Sequence, residues 1–207
     1  MVNKYQRAVD MLNSHLKNKI VQSNDGDYGE FINRMINGTL ELTEYENDEV
    51  TKINTYLFRR CESLTSVSFP VCTSIGAYAF YGCTALTSVS FPACTSIGAY
   101  AFEECTALTS VSFPVCTSIG EYAFEECESL TSVSFPVCTS IGEYAFYGCT
   151  ALTSLYFTGS SVPSIASNSF NNIPSTATFY VASSMVDAFK SASYWSAFAS
   201  QIVAYTE

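Results

Sequence analysis

Nine cysteines and 19 acidic residues, set against nine basic residues and one histidine, are the side chains in this 207-residue chain that could carry chemistry. The cysteines fall in two series, at 61, 83, 105, 127 and 149 and at 72, 94, 116 and 138, the second lying 11 residues out of phase with the first. A zinc site needs close ligand pairs, and there is no CxxC; the sole imidazole, His15, lies in another segment. A disulfide framework favours an even count, and a bridge between equivalent cysteines along a flat ladder would need strained side-chain geometry. Cysteine is also a small, frequently buried apolar residue, and every one here occupies an apolar position of a repeating pattern. The cysteines therefore read as core filler, and no metal or cofactor is expected.

The carboxylates do not assemble into a catalytic set either. Glycoside hydrolysis needs two carboxyl groups in different environments across a cleft, whereas the glutamates here recur on the variable rim of a repeat. A nucleophile–histidine pair needs a histidine near the nucleophile, and His15 lies on the polar side of a separate helix. No phosphate-binding or dinucleotide fingerprint occurs. The stretch Asn24 to Glu30 lacks the ligand order of a calcium loop and reads better as a turn followed by a helix N-cap. The chain is expected not to be an enzyme.

What positions all these residues is a strict 22-residue period, marked by Phe58, Phe80, Phe102, Phe124 and Phe146. In Leu86-Thr-Ser-Val89-Ser-Phe91 the alternation turns Val89 and Phe91 inward and Ser88 and Ser90 outward, as a half-buried strand requires. Pro92 ends the strand, Gly98 permits a bend, and the following AYAFYGC, too short for a regular helix, is expected to form one or two helical turns, with a 3-10 form left open. The apolar burial available to one turn does not offset the entropy of ordering it, so the unit is stable only stacked on its neighbours. The predicted fold is an α/β repeat: a leucine-rich-repeat right-handed solenoid with one parallel β-strand per turn.

An open stack needs caps. Tyr5, Val9, Leu12, Leu16 and Ile20 form one helix face, and a second helix runs from Asp27 and Glu30 to Gly38. Residues 1–38 are thus a helical N-terminal cap or docking segment. Residues 39–157 are the solenoid, with Leu42, Tyr45, Val50 and Ile53 marking a degenerate first turn. Residues 158–207 are a strand-helix C-terminal cap, with a strand at Ala177–Val181, a helix at Ser184–Ala192 with Val186 and Phe189 inward, a helical stretch about Trp195 and a last strand through Ile202 and Val203.

The segment IGAYAFYGCTALTSVSFPACTS resembles the BspA-like leucine-rich repeat, and the resemblance covers roughly residues 50–157. The tail FYVASSMVDAFKSASYWSAFASQIVAY is similar to the closing segment of such proteins. The resemblance implies a surface-adhesion protein or a phage or prophage structural component. Lacking a secretory leader as written, the chain is expected to be virion-associated or cytoplasmic, and at the cell surface if a leader has been removed. The first reading is a phage or prophage tail-associated structural or receptor-binding component that self-associates through residues 1–38. The alternative is a cell-surface adhesin binding a host protein or glycan.

Formal net charge is −10, and residues 61–207 carry Lys190 as their one cation against ten acids. Such a body repels phosphate backbones, which excludes nucleic acid as the primary partner. No apolar run reaches the length of a membrane helix.

Comparing the internal copies locates the candidate binding residues. The core scarcely varies, while Glu103, Glu104, Glu121, Glu125, Glu126, Glu128 and Glu143 gather in the middle of one variable stripe. That stripe reads either as a docking surface for a basic partner or as a solubilising face. The strand face, with Ser88, Ser90, Ser110, Ser112 and finally Tyr156, is suited to an extended ligand such as a glycan, and equally to plain solvation. Tyr81 and Tyr147 are surface anchors, whereas Tyr78, Tyr100, Tyr122 and Tyr144 read as a packed ladder at the rim.

Overall fold

The computed structural model describes residues 44–46 and 50–206. The two N-terminal helices expected over residues 1–38 lie outside the described residues, as does Leu42.

Each turn of the stack contributes a strand at the expected place, Ser-Val-Ser in four turns, Glu-Tyr-Glu in the first and Ser-Leu-Tyr-Phe in the last. These are β1 (Glu44–Glu46), β3 (Ser66–Ser68), β5 (Ser88–Ser90), β7 (Ser110–Ser112), β9 (Ser132–Ser134) and β11 (Ser154–Phe157). Each turn also adds a second, two-residue strand after the proline: β2 (Lys52–Ile53), β4 (Ser74–Ile75), β6 (Ser96–Ile97), β8 (Ser118–Ile119), β10 (Ser140–Ile141) and β12 (Ser164–Ile165). The second set pairs in parallel into an unbroken six-stranded sheet. The register is the repeat itself, Ile75 opposite Ile97 and Ile97 opposite Ile119. The first turn is in phase, since Tyr45 pairs with Val67, Lys52–Ile53 pairs with Ser74–Ile75, and Val50 and Ile53 are buried.

The segment expected to be helical is instead a chain of hydrogen-bonded turns. Phe58 N donates to Ala79 O and Phe80 N to Ala101 O, linking one coil to the next, while Cys83 N donates to Phe80 O within the coil. The reason lies in two left-handed residues per turn. Tyr56, Tyr78, Tyr100, Tyr122 and Tyr144 have φ between 53° and 63°, and Arg60, Gly82, Glu104, Glu126 and Gly148 have φ between 54° and 72°. A left-handed residue breaks the α-helical run and turns its amide toward the neighbouring coil. Gly98 and Gly120 answer to a different constraint. A Cβ on Gly120 would lie 2.5 Å from Ala99 N and 2.6 Å from Gly98 C, so glycine lets adjacent coils approach backbone to backbone.

The core is a set of ladders. Phe58, Phe80, Phe102, Phe124, Phe146 and Phe170 are buried and stack ring on ring, with centroids 5.1 to 5.3 Å apart. All nine cysteines are buried and unbridged, as the filler reading requires. The inner series Cys83, Cys105, Cys127 and Cys149 donates Sγ–H to the carbonyl oxygens of Phe58, Phe80, Phe102 and Phe124 at 3.0 to 3.2 Å.

The coil continues past Phe157 with a longer step, Leu155 facing Phe179 across the new pair. β13 (Thr178–Val181) joins β11, a six-residue helix α1 (Val186–Ser191) buries Phe189, a 3-10 turn holds Trp195, and β14 (Ile202–Ala204) closes the sheet. Trp195 fills the end of the core against Phe157, Phe170, Phe179 and Phe189, and its Nε1–H donates to Pro163 O at 2.7 Å. This is the strand-helix closure read from the sequence. Among the described residues no helix is long and apolar enough to cross a membrane.

Candidate functional site

Two surfaces gather the candidate residues. The first is the face of the Ser-Val-Ser sheet, where alternation sends Val inward and both flanking serines outward. This face is not continuous. β1, β3 and β5 form one three-stranded sheet, and β7, β9, β11, β13 and β14 form a separate five-stranded one. The strand-to-strand hydrogen bonds are interrupted between β5 and β7, which remain neighbours, with Thr109 Oγ1–H donating to Thr87 O at 3.5 Å. At the break Val89 is half-buried while its equivalents Val67, Val111 and Val133 are buried. Phe91 and Phe113 stand 6.0 Å apart there, against 5.4 and 5.6 Å for the pairs on either side.

On the five-stranded face hydroxyl groups divide into two kinds. Thr131 and Thr153, at the strand starts, spend theirs on the stack, donating to the threonine carbonyl of the preceding coil at 3.0 and 3.1 Å. The hydroxyls of Ser110, Ser112, Ser132 and Ser134 have no protein partner among the described residues. They are open to water or to a ligand. In register with Ser112 and Ser134 the column turns aromatic, passing through Tyr156 to Tyr180 and then Val203. Tyr156 and Tyr180 stack at 4.8 Å and 13°, and Tyr205 stands edge-on to both at 5.7 and 6.5 Å. Tyr156 is legible in the sequence, whereas Tyr180 and Tyr205 escaped the sequence reading. Carrying the in-out alternation through Thr178–Val181 would have found Tyr180, since Phe179 is its inward neighbour.

The second surface is the rim. Tyr56, Tyr78, Tyr100, Tyr122 and Tyr144 form a packed ladder, as expected of that series, their rings 4.5 to 5.0 Å apart and within 20° of parallel. The ladder runs between carboxylates. Desolvation first, then the neighbouring ladder tyrosines and the charges of Glu103 and Glu121 on Tyr100 and of Glu125, Glu143 and Glu121 on Tyr122, raise both phenol pKa values. Glu103 is the most perturbed acid. Desolvation first, then the facing charge of Glu125 and a hydrogen bond to it, lift its pKa to about 8, and its Oε2 is enclosed without a partner. Desolvation also raises Glu125.

The structure brings Glu103, Glu104, Glu125 and Glu126 close enough for their charges to act on one another, while Glu121 and Glu143 lie near Tyr122 of the ladder. Glu143 accepts a hydrogen bond from Asn168 Nδ2 at 3.3 Å. Glu128 is exposed two residues beyond Glu126, whose carbonyl receives its amide. Tyr81 is tied down rather than free, since its hydroxyl donates to Glu104 Oε1 at 3.1 Å while the guanidinium groups of Arg59 and Arg60 lie over its ring. Tyr147 packs edge-on against Tyr144 at 5.8 Å. A third row, Val71, Val115 and Val137, is 40 to 43% exposed beside the strand-ending prolines and carries no distinguishing signal in the sequence.

No histidine lies among the described residues, and the described residues contain no group of three His, Cys, Asp or Glu placed to hold a metal ion.

With this geometry in view the chain can be placed. The model of the BspA-type leucine-rich repeat region matches it in two overlapping stretches, residues 37–138 and 73–201. The chain belongs to this family. Among solved structures, a leucine-rich cell surface protein from Faecalibacterium prausnitzii A2-165 is similar at 31% identity with a TM-score of 0.62, covering 71% of this BspA-type chain and 41% of its own. A leucine-rich repeat protein of T. pallidum is 26% identical with a TM-score of 0.54, covering 76% of this chain and 81% of its own. The pneumococcal vaccine antigen PcpA, at 18% identity and a TM-score of 0.67, shares the fold over 80% of this chain and 42% of its own. This BspA-type chain thus spans less than half of two of these three relatives. No curated protein matches the sequence. The family is one of repeat scaffolds, and no enzymatic family is indicated.

Proposed function

We propose that the protein is a non-catalytic binding module of the bacterial cell-surface type, and that its ligand lies across the five-stranded Ser-Val-Ser face. The observation that carries this reading is the division of labour among hydroxyls. The threonines of the face hydrogen-bond the stack, whereas the adjoining serines, held at fixed strand spacing, have no partner within the described residues. A row of preorganised, unspent donors and acceptors beside an aromatic cluster is how binding sites combine orientation with contact area. The likeness to a cell surface protein of Faecalibacterium supports the setting. Of the two readings of the sequence, this takes up the adhesin. The tail-component reading rests on residues 1–38 and gains nothing from these likenesses.

The test is a solid-phase panel of extracellular-matrix proteins and polysaccharides probed with the full chain. Ser112→Arg and Ser134→Arg, which place a bulky charge on the face, abolish retention, while Glu125→Lys with Glu126→Lys on the rim leaves it intact. Retention lost only in the rim variant would move the ligand to the acidic surface. No retention on any coating would overturn the binding-module reading.

A further inference from the structure

The chemistry of the five-stranded face narrows its ligand, given that this face is the ligand surface. It bears no charge: among the described residues beyond Cys61 the charged side chains are Glu62, the rim glutamates, Asp187 and Lys190, none of which lies on a Ser-Val-Ser strand. A partner recognised through ion pairs finds nothing to bind here. A peptide strand adding to a sheet needs a free backbone edge, and the face presents side chains instead. What the face does offer is rows of hydroxyls and one aromatic surface.

That surface has a free side. Tyr156 and Tyr180 overlap at 4.8 Å, wider than direct ring contact of about 3.5–4.0 Å, so the rings are offset rather than eclipsed. Tyr180 is flanked by Tyr156 on one side and by Val203 on the other, while Tyr205 stands beside the edges of both rings. The opposite side of Tyr156 looks over Ser134, its in-register neighbour, whose side chain is too small to cover it. The serine floor and this ring form a step with an apolar wall and a hydroxyl base. A pyranose ring has the matching anatomy, one face of C–H groups and a periphery of hydroxyls. An extended β-1,4-linked chain runs in the plane of its rings, so a chain stacked on Tyr156 lies along β9, whose outward residues Ser134 and Ser132 are about 6.6 Å apart.

We propose that the step formed by Tyr156 and Ser134 is a binding subsite for a neutral, extended glycan, with one sugar ring stacked on the free face of Tyr156 above Ser134 and the chain continuing along β9 over Ser132. Charged glycans are disfavoured, because no cation on the face meets a carboxylate or sulfate, and the acidic rim repels them.

Titration calorimetry of the full chain with cellohexaose, xylohexaose and mannohexaose tests this, with the helical maltohexaose and the anionic hexagalacturonate as comparisons. At least one of the three β-1,4-linked hexaoses binds with Kd below about 1 mM, and neither comparison sugar matches it. Tyr156→Ala weakens that binding by about tenfold or more and Tyr156→Phe by less than about threefold, because the ring and not the hydroxyl supplies the wall. Ser134→Leu, which covers the free ring face without offering another aromatic wall over Ser112, abolishes it even if Tyr156→Ala proves unstable. Absence of binding by all three hexaoses overturns the inference, as does binding indifferent to Ser134→Leu. If the hexaoses fail while panel retention still depends on Ser112 and Ser134, the glycan falls and the sheet face stands as the ligand surface.

Discussion

The thiol of Cys105 donates to the carbonyl of Phe80 at 3.2 Å, bridging two coils rather than pairing with a second sulfur. The same bond recurs up the inner ladder, and burial lifts these thiols well above the ordinary range, with the outer Cys94 and Cys116 pushed up to about 12. A thiolate is the reactive species, so both burial and suppressed ionisation protect the series. A thiol reagent such as Ellman's is therefore expected to label none of the nine cysteines in the native chain at pH 8, and all nine after denaturation. Rapid labelling of the native protein would contradict the core placement.

Glu126 holds φ at 54° where the equivalent residues Gly82 and Gly148 are glycine. A left-handed conformation costs a side-chain-bearing residue about 1–2 kcal/mol. Glu126→Gly is expected to stabilise the chain by about 1 kcal/mol, partly offset by the entropy of the freed backbone, as read from denaturant midpoints. Glu104→Gly gains less, since it also loses the bond from Tyr81.

Gly120→Ala acts in the opposite direction. The added methyl meets backbone atoms of the preceding coil at 2.5 and 2.6 Å, and these cannot rotate away as a side chain would. A loss of about 3 kcal/mol is expected, at the upper end of ordinary overpacking, with the unfolding slope unchanged.

Glu103 makes stability depend on pH. Its folded pKa of about 8 lies above the ordinary value of 4.5, so the folded state holds the proton more tightly than the unfolded chain. The contribution is fully present below pH 4.5, declines as the unfolded carboxyl ionises first, and is gone once pH has passed about 8. Glu125 is raised as well and acts with the same sign. Melting temperatures measured between about pH 4.5 and 8.5 are expected to fall less steeply in Glu103→Gln than in the parent chain.

Much of the fold was legible because the repeat states each requirement several times over. Alternation fixed Val89 and Phe91 as inward, and equal spacing placed Phe58 through Phe146 in one ladder; the sheet and the ring stacks follow from those two facts. The closing helix at Val186–Ser191 and the burial of Phe189 and Trp195 were also readable, because apolar residues there change from a period of two to one of three or four. The backbone of AYAFYGC was not. Its apolar spacing suits a helical turn, and what forbids one is the left-handed tyrosine, a conformation that tertiary hydrogen bonds to the next coil impose on a residue without intrinsic preference for it. Among candidate site residues, the Glu103 and Glu125 pair and Tyr156 stood out as departures from the repeat. The division of the serine face between β5 and β7 has no signal at all, since TSVSF is identical on both sides.

The unbroken six-stranded sheet behind that face makes the molecule a ruler. Because each coil docks on the next through the same Ile and Ser contacts of this sheet, inserting or removing one 22-residue unit leaves those contacts chemically unchanged. The separation between the arginine pair of the first coil, Arg59 and Arg60, and the tyrosines at the far end is thereby adjustable in steps of about 4.8 Å. Gene duplication within such a chain alters reach without altering grip.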